Sequence, residues 1–499
     1  MLWAAPRIRR LGEVDVMRLY ATIGGFKYWI KPKPLLGAYV AMETFARALL
    51  EYGHFEEYHA YHNDEFFRTL SREELIRTYF RFPKLKIKKY REILRHAQSD
   101  YGVLHTEECG PHTEVILRGV LSRRNIPLTK RFYAVATNGQ LMALLHVCTL
   151  GGGGRPYDSI IVPSRAAQAA VQAYFADVQS FTAGRFCYRG RLDVIPHGLY
   201  LESLAPRDKA RSREKYAIPR DTTVLLSLAR ISWITKMNYD RLLEFFAQLV
   251  RRTPRRLLLV IAGSDTEHEA QGLTDLAQRL GLADQLKLIT DFPDEDKADI
   301  LNCADIFLSL SDNLQESFGI NLIEAMAMAL PVVCTDWDGY KDIVDEGVTG
   351  YRIPTTWTAR ECPEDAVGAL TNLYDHTVIH RISRGIRVDM DALIARTLEL
   401  VEHEATRKNM GAKGREKAER EYSARTEILR WEALWQELGE MAREDEREYP
   451  DLSPLLNFRY PRHFRTWPTY FDPALQEPAP DREPAVVPED EDHEHPVCG

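Results

Sequence analysis

The sequence predicts an α/β fold in two domains. Short apolar runs alternate with stretches of helical period at crossover spacing, the pattern of parallel strands joined by helices. At 499 residues the chain exceeds the size at which one hydrophobic core stops growing. Hydrophobic residues make up 45% and charged residues 28%, ordinary for a soluble globular protein.

In the first half, a strand is read over residues 15–22, closing on Gly24 and Gly25. A proline-bearing loop, 31–37, leads to a helix over 38–51, and a second strand passes through 56–62. About a dozen residues separate the glycines from the helix, so this is not the tight G-x-G-x-x-G turn of dinucleotide folds. Residues 65–100 are charged, and 84–95 strongly basic. A surface helix with a solvated face is expected there, with an acceptor or membrane-surface patch as the alternative. A strand at 102–106, a helix at 115–124, a strand at 132–136 and a helix at 140–148 follow. After a flexible glycine run at 151–154 come a strand at 158–162 and a helix at 166–175, capped by Ser164. A short strand at 192–195 enters the turn Pro196–His197–Gly198, and the charged segment 202–220 fits a linker.

The second half alternates more regularly. Strands are expected at 224–228, 257–262, 286–289 and 304–310, separated by helices at 239–251, 273–280 and 296–302. Helices at 391–402, 404–410 and 415–437 close the folded part. Beyond Tyr449 proline and acidic residues dominate, and aromatics among them, including Trp467 and Tyr470, are expected to dock on the surface. Residues 478–499 read as disordered.

The most telling segment is ESFGINLIE, Glu316 to Glu324, followed by AMAMALPVVCTD. Glu316 sits in the loop at a strand's end; Glu324 lies about one turn inside the helix that starts after Gly319. Ligands of open α/β sheets bind at such strand ends. Free N–H groups around Phe318 and Gly319 suit phosphate oxygens, glycine lets the backbone come close, and carboxylates accept from sugar hydroxyls. Glu316 is expected to hold a transferred sugar and Glu324 a ribose diol. The plain alternative is a surface loop and a helix with a favourable charge near its start. Arg230 and Lys236, beyond the strand at 224–228, would neutralise a diphosphate and the leaving charge. Their alternative is a solvated basic loop. Gly263 would admit the diphosphate, and Asp291 lies in the loop where a base would pack.

The run from Leu308 to Pro354 resembles the nucleotide-binding half of retaining glycosyltransferases with two facing Rossmann-like domains, the GT-B architecture. Sucrose synthases, bacterial glycogen synthases and phosphatidylinositol mannosyltransferases belong to that family. The resemblance rests on the glutamate pair, the small-residue helix, Pro331-Val332-Val333, Asp336, Gly339, Gly347 and Gly350. It implies a hexosyl transfer with retention from a nucleoside-diphosphate sugar, with a UDP- or GDP-sugar expected ahead of an ADP-sugar, to an unidentified acceptor. No cofactor is implied, and no metal is required by the constellation. It also implies an acceptor domain over 1–200 and a donor domain over 201–435 whose last helix crosses back. An extension, 436–477, and the acidic tail, 478–499, would follow. Gly24 and Gly25 match the family's glycine loop; a tight turn without ligand is the alternative. Two departures stand out. Five residues separate Arg230 from Lys236, one more than the common pattern. The family's histidine after the strand at 132–136 is missing, with Thr137, Asn138 and Gly139 in its place. His105 is the substitute by sequence logic, a satisfied core histidine being the alternative. The gap leaves open a sugar-nucleotide binder without turnover, or a nucleotide-sugar epimerase of the same architecture.

A net charge of -8 argues against a dominant nucleic-acid surface. Seven scattered cysteines show no metal-ligand spacing, no apolar run reaches membrane-spanning length, and a cytoplasmic location is expected, peripheral membrane association being compatible with it.

Overall fold

A computed structural model of the chain describes residues 19–24, 26, 37–69, 71–96, 101–107, 113–121, 125–136, 138–149, 154–358 and 376–449. Gly25, Thr137 and the segments 450–477 and 478–499 lie outside these.

Two parallel sheets organise the molecule. The first has seven strands: β1 (Leu19–Ile23), β2 (Glu57–His62), β3 (Leu85–Lys89), β4 (Tyr101–Thr106), β5 (Leu128–Arg131), β6 (Ser159–Val162) and β7 (Arg191–Val194), in the order β3-β2-β1-β4-β5-β6-β7. The second has six: β8 (Thr223–Leu228), β9 (Leu257–Gly263), β10 (Leu286–Thr290), β11 (Ile306–Ser309), β12 (Val332–Thr335) and β13 (Gly350–Ile353), in the order β10-β9-β8-β11-β12-β13. Every pairing within both sheets is parallel. Helices cover both faces of the second sheet, which is why β9 reads LLLVIAG, apolar throughout and buried at all seven positions. Alternate residues of β8 point to two separate cores: Val224, Leu226 and Leu228 to one, Leu225 to the other.

Three expected elements differ. Within 65–100 the expected helical structure is present at Asp64–Thr69 and Arg72–Arg81, but the basic stretch 84–95 forms the edge strand β3 and a 3-10 turn, Tyr90–His96. LKIKK alternates with period two, Leu85 buried, and lysines suit a sheet edge, where they discourage pairing with another chain. The fifth strand ends at Arg131, before the predicted 132–136. The two helices expected across 404–437 break elsewhere: one runs Glu404–Glu421 and the next Ala424–Glu444, capped by Ser423 on the Thr426 N–H.

That last helix packs on the first domain. Trp431 and Trp435, fully buried, join Tyr20, Phe45 and Phe55 in its core. The chain passes between the domains twice, side by side. The Leu199 N–H bonds to the Tyr422 carbonyl and the Ala424 N–H to the Leu199 carbonyl, at 2.8 Å each. A Cβ on Gly198 would meet the Ser423 carbonyl oxygen at 2.7 Å, so the neighbouring crossing demands glycine there. Glu427 closes the junction, accepting from the Gly198 N–H at 2.8 Å and from the buried Arg131 guanidinium.

Candidate active site

Strand order in the second sheet changes direction between β8 and β11, and the crevice beyond their carboxyl ends is where a ligand of such a sheet binds. Arg230 lies just past β8. Its carbonyl accepts from the Tyr239 hydroxyl at 3.0 Å, which fixes the loop. Among the described residues its guanidinium makes no hydrogen bond or ion pair. Gly263, the last residue of β9, supports this loop from behind: an added Cβ would stand 1.7 Å from the Ala229 carbonyl oxygen. The crowding that requires glycine is thus the protein's own backbone. Asp291, at φ 50°, follows β10; its N–H bonds to the Gly263 carbonyl at 3.1 Å, and its carboxylate accepts from the Asp265 N–H at 3.2 Å.

The loop after β11 brings in Glu316. Lys236 is not aimed beside Arg230 but ion-pairs with the Glu316 carboxylate, which also lies 3.5 Å from both the Phe318 N–H and the Tyr340 hydroxyl. Burial pushes the Glu316 carboxyl up; the Lys236 charge and these hydrogen bonds outweigh it and hold the group below its ordinary value. Gly319 starts the helix Ile320–Ala327 at φ 118°, a conformation for glycine, and a Cβ there would strike the Tyr340 ring at 2.6 Å. Gly319 offers no side chain to cap the helix, so its first-turn N–H groups stay uncapped. Glu324 is 6% exposed and pairs with Lys297 at 3.0 Å. The Glu324 charge raises the Lys297 pKa against the cost of burial. Two carboxylates, each paired with a lysine, therefore flank one helix start.

Residues 208–365 match the signature of the family described as "Glycosyl transferases group 1". The likeness to that family lies in the part of the chain that carries the second sheet. D-inositol 3-phosphate glycosyltransferase of Saccharomonospora viridis is 32% identical over 201 residues, covering 39% of this chain and 44% of that protein. The Frankia alni enzyme of the same name is 34% identical over 170 residues, 33% of this chain and 40% of its own. The chain thus spans less than half the length of these curated relatives. In fold it is similar to a glycosyltransferase from Rickettsia africae, TM-score 0.55 at 15% identity over 85% of this chain and 99% of that one. It is also similar to Anabaena HepE in complex with UDP, TM-score 0.53 at 15% identity over 86% and 99%. Both sheets take part in that likeness, and the fold is GT-B.

In the first domain the expectations fare unequally. Gly24 follows β1 at φ 87°, its N–H on the Tyr61 carbonyl at 3.1 Å, and no described side chain crowds it. His105 is 0% exposed. Its Nδ1 bonds to Thr129 at 2.8 Å and its Nε2 to Glu107 at 2.5 Å, inside a cage of Tyr20, Phe45, Trp431 and Trp435. Burial lowers its pKa more than Glu107 raises it. This is the geometry of a satisfied core histidine, the alternative to a substitute catalytic role. Because β5 ends at Arg131, the residues directly after it are Phe132 and Tyr133, not Thr137 to Gly139. Tyr133 donates to Glu107, and its backbone carbonyl accepts from the Ser317 hydroxyl of the Glu316 loop.

The sequence alone does not single out Lys297, Tyr340 or Tyr133. Lys297 follows three acidic residues and looks like part of a solvated charge run; only its pairing with Glu324 marks it. Among the described residues no group of three or more His, Cys, Asp or Glu could hold a metal ion, and no helix is long and apolar enough to cross a membrane.

Proposed function

We propose that the chain is a retaining hexosyltransferase that moves a hexosyl group from a nucleoside-diphosphate sugar to an acceptor held by the first domain. The observation that carries this is the convergence of Arg230, Glu316 and the uncapped helix start at Gly319 on the crevice between β8 and β11. Arg230 would neutralise the leaving diphosphate, with the N–H groups of Phe318 and Gly319 sharing its charge. Glu316 would hold the hexosyl hydroxyls while Lys236 keeps it ionised. Glu324, paired with Lys297, would take the ribose diol; Asp291 and Gly263 would shape the base and diphosphate side. A uridine donor is favoured by the UDP complex of HepE, and a guanosine donor is the alternative. We assign the domains as 1–200 and 201–435 and place the reaction in the cytoplasm. The last point is supported by four described cysteines, all free.

The acceptor of the inositol phosphate enzymes is not carried over to this chain. The test is release of UDP or GDP from the corresponding sugar nucleotides in the presence of candidate acceptors, with NMR of the product. An inverted anomeric linkage would rule the proposal out. One observation favours binding without turnover instead: Tyr133 stands after β5 and His105 is sealed in the core. Nucleotide-sugar binding without acceptor-dependent release would establish that reading, and conversion of the sugar itself would establish an epimerase.

A further inference from the structure

The two domains touch at the loop that carries Glu316. The Ser317 hydroxyl bonds to the Tyr133 carbonyl across the crevice. The next residue, Phe318, is 3% exposed, and its ring meets His197 edge-on, centroids 5.0 Å apart at 82°. His197 in turn stacks on Tyr133, at 5.2 Å and 17°. Tyr133 is fixed from behind by Glu107 and, at 3.3 Å, by Arg131. On its far side the Phe318 backbone is pressed against Gly339, where a Cβ would lie 2.5 Å from the Phe318 Cα.

The middle ring of this stack is unusual. His197 is 3% exposed, its Nδ1 is buried without a hydrogen-bond partner, and no described group bonds to either ring nitrogen. Burying an unpaired polar atom is unfavourable, so the position is not satisfied through hydrogen bonding. Burial, reinforced by the Arg131 charge, holds the imidazole well below its ordinary pKa, so it is neutral at physiological pH. What it offers is a flat ring between two others.

We propose that Tyr133, His197 and Phe318 form an aromatic clamp that holds the donor loop against the first domain, with His197 as its positioning residue. This rests on the reading of Glu316 as the sugar-holding carboxylate. The Phe318 N–H faces Glu316 Oε1, so a shift of the Phe318 ring displaces the carboxylate two residues away.

Three variants test it: H197A removes the ring, H197F keeps it without the nitrogens, and S317A breaks only the hydroxyl arm. Hydrogen–deuterium exchange is read in peptides covering residues 313–322, and UDP-glucose serves as probe for binding and hydrolysis. H197A is expected to speed exchange severalfold there and to lower kcat with little change in KM. H197F is expected to restore both toward wild type, with a melting temperature equal to or above it. S317A is expected to speed exchange in the same peptides, and it keeps the test decisive if H197A does not fold. Unchanged exchange in H197A, or in S317A where H197A does not fold, would overturn the clamp. So would an H197F variant as impaired as H197A, which would assign the position to imidazole chemistry. If UDP-glucose binds to no form of the protein, the donor reading fails for that sugar nucleotide, while exchange still decides the clamp.

Discussion

Arg230 is half-buried beside the crevice and has no carboxylate bonded to it among the described residues, an arrangement that contributes little to folding and much to any anion placed there. R230A should therefore leave melting unchanged and lower kcat/KM by the equivalent of roughly 2.7–4 kcal/mol, the range for loss of one aimed donor. Steady-state kinetics beside a thermal melt checks both halves. Glu324 is assigned to the ribose, remote from the bond that breaks, so its contacts serve ground and transition states alike. E324Q should raise the donor KM and spare kcat; a large fall in kcat at unchanged KM would move Glu324 to the reacting centre. Asp338 permits a pH test. Burial, with the Glu316 charge beside it, pushes its carboxyl up to about 7, against Ser164, which donates to it at 3.2 Å. The folded state thus keeps a proton that the unfolded chain releases near pH 4. Its contribution to stability is full below that value and is lost as pH rises to about 7. Asn imitates the protonated form and tolerates the residue's φ of 42°. D338N should therefore melt higher than wild type at pH 8, and the gap should close by pH 5.

Elements with a clean period are legible in the sequence itself. The helix after Gly319, the strand before Glu316 and the Ser164 cap all follow from local pattern: apolar spacing of three and four, a short apolar run, and a hydroxyl ahead of a helix. The basic stretch misleads because charge outweighs its alternation. The fifth strand misleads because Thr129, Lys130 and Arg131 look like solvent-facing residues. They are buried by partners that no local window contains: the indole of Trp435 for Thr129, Glu114 for Lys130 and Glu427 for Arg131. The cap carries a prediction of its own. Ser164 is 0% exposed and accepts from the Ala167 N–H at 3.1 Å while reaching Asp338 in the other domain. S164A should cost about 1 kcal/mol through the cap, measurable by denaturant unfolding. Any excess over the cost of S164A in a D338A background reports the cross-domain bond.

At the scale of the molecule, the alternation of strands and helices announces two α/β units, but nothing periodic announces how they meet. The contacts that do so, Ser164 with Asp338 and Ser317 with Tyr133, join residues 174 and 184 apart. Arg165 adds a third, holding Asp342 with both its N–H and its side chain at 2.7 Å. The crossing helix sets a further condition, on the order of events during synthesis. Residues 19–200 leave the ribosome before Trp431 and Trp435, yet their core is incomplete without these two. The second sheet contains all its own strands by Ile353 and can close earlier. The unit made first should therefore be the unit finished last. Nascent chains arrested after residue 421 should show protease resistance across 208–353 and cleavage within the first sheet. Chains extended past residue 449 should protect both. Equal protection of the first sheet at the shorter length would mean that the two tryptophans are additions to a core already complete. Until the helix arrives, the apolar face against which they pack is open to chaperones, so survival of the early unit depends on how fast the late one is translated.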